Sequence, residues 1–150
     1  MLNRREMLSH SARVAALLAT AGVLPQARAF NTAAFDAKSM PDAVKALGGG
    51  TPVASKDVVI TGPDIAENGA VVPVGVSTAL PGAKRLLLLV EKNPSVLSAV
   101  FDVSDAVEAN FSTRVKMGQS SNVYAVALMG DGKVLFAQKE IKVTLGGCGG

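Results

Sequence analysis

Five consecutive large apolar residues, Leu86-Leu87-Leu88-Leu89-Val90, stand between Lys84-Arg85 and Glu91-Lys92-Asn93-Pro94 with no polar position among them. Successive side chains of a strand point to opposite faces, so such a run must be covered on both sides if it is extended. Five residues are too few for a helix, which leaves a strand with protein on either face, either inside a core or in a permanent subunit interface. The surroundings fit a strand. From Thr51 onward β-branched runs recur every eight to twelve positions with turn residues between them, the pattern of an antiparallel β-sandwich. The strands predicted are 57–61, 70–78, 85–91, 97–103, 111–116, 122–129, 134–139 and 142–145. Gly130-Asp131-Gly132 reads as a hairpin turn, because glycine tolerates the positive φ that tight turns need.

Ahead of the strands, Phe35, Met40, Val44 and Leu47 recur at near-helical spacing, and Gly48-Gly49-Gly50 forms a stop. This predicts one short helix or two turns. Pro41 interrupts the pattern unless a second helix begins there with Ser39 as its N-cap.

The 150 residues allow one compact domain, and their chemistry is sparse: one histidine, one cysteine and no tryptophan. Zinc clusters of Cys and His, CxxCH haem attachment and a disulfide framework within the chain are all excluded. The net charge of +3 is confined to the first 29 residues, where Arg4, Arg5, Arg13 and Arg28 face only Glu6, and residues 30–150 balance at 11 basic and 11 acidic. A neutral body gives no support for nucleic acid as a partner.

Residues 1–29 read as an export signal, with a charged start, an apolar stretch from Val14 to Leu24, Pro25, and the small-residue spacing Ala27-Arg28-Ala29. Cleavage is expected after Ala29. Eleven mostly small apolar residues fall short of the roughly 20 that span a bilayer, so no membrane anchor is expected. Arg4-Arg5 followed by Glu6-Met7-Leu8 resembles the twin-arginine motif, which implies export in a folded state to the periplasm. The lone histidine, His10, falls within this signal. The mature chain then has no imidazole base, so neither a Ser–His nor a Cys–His nucleophile can be assembled and catalysis by the chain itself is not expected. The expected organisation is a signal over 1–29, a helical segment over 30–50, a sandwich over 51–145 and an arm over 146–150.

Other local features have plain readings. Asp102, Asp105 and Glu108 obey no ligand spacing and read as a solvated loop. Met117 and Met129 read as packing. Gly48-Gly49-Gly50 lacks the Lys-Ser/Thr of a phosphate loop. Neither a metal nor a cofactor is called for.

The tail is different: Gly146-Gly147-Cys148-Gly149-Gly150 sets the only cysteine between two glycine pairs directly after a strand. A structural cysteine is normally buried, but four neighbours without side chains have nothing to bury it with. Two glycines let the cysteine Cα reach about 10 Å past Leu145, on an arm thin enough to enter a narrow channel. The nearest cation in sequence, Lys142, is six residues back, so nothing in the chain favours the thiolate over a thiol of ordinary pKa near ~8.5. These features describe a thiol that partner enzymes load and unload.

The twin-arginine signal, FDAKSMPDAVKALGG over 35–49, Glu67-Asn68-Gly69-Ala70-Val71-Val72-Pro73-Val74 and the terminal GGCGG together resemble the SoxY family, sulfur-carrier subunits of the thiosulfate-oxidising Sox system. The resemblance implies an immunoglobulin-like β-sandwich paired with a SoxZ subunit in the periplasm. It implies covalent attachment of substrate to Cys148. It further implies transient docking to a haem enzyme that joins thiosulfate to the thiol, to a hydrolase that releases sulfate, and to a sulfane dehydrogenase where one is present. Two rival readings differ in what the tail does. A ubiquitin-like carrier would use the Gly150 carboxyl after ATP-dependent activation, which export disfavours, and a structural or binding sandwich would use Cys148 for a disulfide-linked dimer.

Overall fold

In the computed structural model the chain divides into two compact units, Met1–Phe30 and Asn31–Gly150. The structure describes residues 31–145, with Asn3, Leu8 and His10 of the first unit. The twin-arginine pair Arg4 and Arg5, the cleavage point at Ala29 and the tail residues Gly146, Gly147, Cys148, Gly149 and Gly150 lie outside the described residues.

Two short helices come first, α1 (Thr32–Asp36) and α2 (Met40–Ala46). The helical pattern is split at the point where Pro41 forbids continuity. Ser39 caps α2, its hydroxyl accepting from the Asp42 backbone N–H at 3.3 Å, and Pro41 falls in the first turn, where a missing N–H costs no helical bond. Gly48, at φ +81°, stops the helix in a conformation other residues avoid. Gly49 then passes so close to the core that an added Cβ would lie 2.6 Å from Val44 Cγ1 and 3.0 Å from both Leu128 Cδ2 and Val134 Cγ2. Gly49→Ala should therefore cost about 1–3 kcal/mol by overpacking, read as a lowered urea midpoint with an unchanged m-value.

Nine strands follow: β1 (Pro52–Ala54), β2 (Val58–Thr61), β3 (Ile65–Asn68), β4 (Val72–Thr78), β5 (Ala83–Val90), β6 (Leu97–Asp102), β7 (Asn110–Val115), β8 (Ser121–Met129) and β9 (Val134–Leu145). One sheet has the order β1-β9-β8-β5-β6, with β3 also pairing β9, and the other has the order β2-β4-β7. All pairings are antiparallel except two. Both β1 and β3 run parallel to β9, along successive stretches of its length. The sandwich expected from the sequence is thus present, with a mixed edge that an all-antiparallel pattern does not contain. Gly132, at φ +88°, forms the turn between β8 and β9 as expected.

The run 86–90 is covered on both sides by the chain's own elements. Leu86, Leu88 and Val90 pack between the sheets with Val72, Val74, Val76, Val123 and Ile141, and all eight are buried. Leu87 and Leu89 face the other way, under the helices, with Ala34, Ala43, Val44 and Val126. The run is therefore the centre of two cores. Phe101 on β6 stacks on Phe111 on β7 with centroids 4.6 Å apart, joining the two sheets along one edge. The helices are held to the β5–β6 loop by Ser95 Oγ donating to the Phe35 carbonyl at 2.6 Å and Lys38 Nζ donating to that of Pro94 at 2.8 Å.

Two strands predicted separately, 134–139 and 142–145, are one continuous strand, and β1 and β3 were not predicted. Lys139 explains the false break. It pairs with the buried Val123, at a position whose alternation points inward, and a cation there interrupts the apolar pattern. Its amine escapes to Asp64 at 2.7 Å, and the strand continues through buried Ile141.

Candidate functional site

The point from which residues 146–150 depart is the end of β9, and its geometry is unusual. The antiparallel ladder with β8 runs from Leu128–Val134 to Ser121–Ile141 and ends there, while β9 continues for four more residues. Those four are held by other groups. On one edge β3 pairs in parallel, Ile65 with Lys142, Ala66 with Val143 and Asn68 with Leu145. The alternation of β3 suits the role, since Ala66 is buried beneath the strand while Ile65, Glu67 and Asn68 stay exposed. On the other edge, where β8 has ended, the Ser120 hydroxyl accepts from the Val143 N–H at 2.9 Å.

Further hydrogen bonds close both ends of this pairing. The Lys142 N–H donates to the Asp64 carbonyl at 2.9 Å, and the Gly69 N–H donates to the Leu145 carbonyl at 2.8 Å. Thr144 Oγ1 donates to the Glu67 carbonyl at 3.1 Å. Asn68 turns the chain by accepting from the Ala70 N–H at 2.9 Å, and the Gly69 carbonyl accepts from the N–H of buried Met117 at 2.7 Å. Asp64 grips β9 twice, through its carbonyl and through its carboxylate on Lys139. The hydrogen bond from Lys139 and its charge hold the Asp64 carboxyl below its ordinary 3.8. Leu145 itself is 71% exposed, and Ile65 and Val71 of the same gripping segment are also exposed.

Little else among the described residues could perform chemistry. No group of three or more His, Cys, Asp or Glu residues is placed to hold a metal there. The three carboxyl and phenol groups with shifted pKa all move away from neutrality: Asp64 and Asp131 are held low by Lys139 and Lys133, and Tyr124 is raised by burial and by the Glu91 carboxylate. None is tuned to act as an acid or base near pH 7. A hollow of about 620 Å³ between α2 and β1 is lined by Met40, Pro52 and Phe136 and has Lys45 as its only charged group. Asp102, Asp105 and Glu108 are exposed, and Asp102 pairs with Arg85 at 2.7 Å. Met117 is buried in the inter-sheet core and Met129 packs against it, as read from the sequence. No helix among the described residues is long and apolar enough to cross a membrane.

Fold and site together define an immunoglobulin-like β-sandwich whose last strand is gripped on both edges and leads directly into a cysteine set among glycines. The family model described as sulfur oxidation protein SoxY matches residues 43–148, and the chain belongs to that family. The solved structure of the sulfur carrier protein SoxY from Chlorobium limicola f thiosulfatophilum is 36% identical, with a TM-score of 0.62 over 73% of this chain and 100% of that one. A variant of superoxide reductase (neelaredoxin) from Ignicoccus hospitalis shares the fold alone, at 21% identity and a TM-score of 0.51 over 57% of this chain and 78% of that one. No curated protein matches the chain.

Proposed function

We propose that this chain, a sulfur carrier of the SoxY family and not an enzyme, holds thiosulfate-derived groups covalently on the Sγ of Cys148 in the periplasm. The observation that carries the reading is the exposed end of β9. The last strand-paired residue, Leu145, stands two glycines before the only thiol in the chain.

Loading joins the thiol to the outer sulfur of thiosulfate as a Cys–S–S–SO3⁻ group, with one proton and two electrons released to the haem enzyme that catalyses the step. Water then attacks the terminal sulfone sulfur. The S–S bond to that sulfone breaks, sulfate leaves with two protons released, and its electron pair stays on Cys148 as a persulfide. A sulfane dehydrogenase, where present, oxidises that outer sulfur. The chain contributes a nucleophilic sulfur and reach, while its partners contribute redox groups and acid–base groups. SoxZ is the proposed permanent partner. Export by the twin-arginine route, through Arg4 and Arg5 with cleavage after Ala29, would deliver the folded pair to these enzymes.

Intact mass of the exported protein, before and after reduction, tests the reading. Adducts of about 32, 80 and 112 Da are expected for added sulfur, sulfonate and thiosulfonate, and reduction should remove the disulfide-linked sulfur. Cys148→Ser should abolish all three. Adducts that persist in that variant would place the chemistry on the terminal carboxyl. Loss of dimer alone, with function intact under reductant, would make the cysteine a dimer link.

A further inference from the structure

The β8–β9 ladder ends at Ile141, so without further support the chain would be free from residue 142 onward. It is instead held to Leu145 by β3 and by Ser120. We propose that Asp64–Gly69 and Ser120 form a clamp whose function is to fix the exit point of the tail and so set the reach of the Cys148 thiol. The inference rests on the reading of Cys148 as the carrier thiol.

The clamp acts on length. Held at Leu145, Cys148 is three residues from the fold and its Cα reaches about 10 Å; released at Ile141 it is seven residues away and reaches about 24 Å. Because effective concentration falls roughly as the −3/2 power of tether length, release would dilute the thiol at a docked active site about 3.5-fold. It would also add four residues that must be ordered on docking, none of them glycine.

The bonds concerned are separable from the core. Ser120 is half-buried and Thr144 is exposed, and neither belongs to the buried clusters. The clamp also spans distant parts of the sequence, since Glu67 and Thr144 are joined across 77 positions and Ser120 and Val143 across 23. One contact from β3 and one from the loop before β8 converge on adjacent residues of β9 immediately before the tail.

The test is a Ser120→Ala/Thr144→Val variant of the full mature chain, with Thr144→Val alone as a milder form and Ser120→Thr as the conservative control. Amide exchange at 143–145 should rise at least tenfold in the double variant, and a nitroxide on Cys148 should become more mobile, while Ser120→Thr stays close to the parent. Length is then tested directly by deleting Gly146 and Gly147. With the clamp intact this should abolish thiosulfate loading by the conjugating enzyme. In the loosened variant at least a third of parental loading should survive, because residues released upstream replace the deleted reach. Equal loss in both backgrounds, or unchanged exchange and label mobility, would overturn the clamp. Absence of any thiosulfate adduct on the parental Cys148 would instead overturn the carrier reading and leave the exchange and mobility results to decide the clamp alone.

Discussion

Deletion of residues 146–150 should remove all thiosulfate loading and leave the melting temperature within about 3 °C of the parent, since changes away from buried contacts typically cost under about 0.5 kcal/mol. Among the described residues the buried clusters lie between Ala34 and Ile141, and the partly buried residues packed on them extend to Val143. The Leu145 carbonyl is already satisfied by Gly69, so truncation there leaves no strand end without its partner. Calorimetry and intact mass on the same sample separate the two effects. A fall of more than about 6 °C, equivalent to roughly 1 kcal/mol, would mean that the tail packs on the domain. Loading that survives truncation would move the reaction to another atom. This separation of stability from chemistry is what a carrier needs, because partners can take hold of the tail without opening the fold.

The parts of the fold legible in the sequence are those whose signal is local. The two-sided run 86–90, the Ser39 cap ahead of Pro41 and the glycine turn at 132 each depend on a few neighbouring residues. Their physics is complete within the segment. Strands β1 and β3 are different. Pro52-Val53-Ala54 and Ile65-Ala66-Glu67-Asn68 are three and four residues long, largely exposed, and contain poor strand formers. They become strands because β9 offers them an edge, and no short-range pattern records an edge supplied from 70 or more residues away. The segment beginning Glu67-Asn68-Gly69 could be quoted as a resemblance to a family before its task was visible. The structure supplies the task, which is to hold the end of β9 and then return to the core as β4. Cys148 lies outside the described residues, and its proposed role is read from the sequence alone, from a single cysteine set between glycine pairs.

Leu88→Ala should destabilise the domain by about 4–5 kcal/mol, at the upper end of the range for leucine truncation, and lower the melting temperature by roughly 10–25 °C. Leu88 is fully buried between the sheets, and its neighbours in the ladder are Ala125 on β8 and Ala99 on β6. Two alanines beside it have no side chain long enough to fill the space, and two hydrogen-bonded sheets cannot close on it, so the cavity should persist. Leu87, one residue earlier, is equally buried but faces the helical layer and lies between Val126 and Val100. The short helices α1 and α2 can settle inward over a truncated side chain, so Leu87→Ala should cost only about 2–3 kcal/mol. Urea unfolding of the two variants gives the comparison, with equal m-values as the check that both unfold from the same native state. A reversed order would show that the helical layer is the more rigid wall. In either variant the fraction that remains folded should accept thiosulfate normally, because both leucines lie on β5, which pairs with β6 and β8, while residues 142–145 of β9 pair with β3.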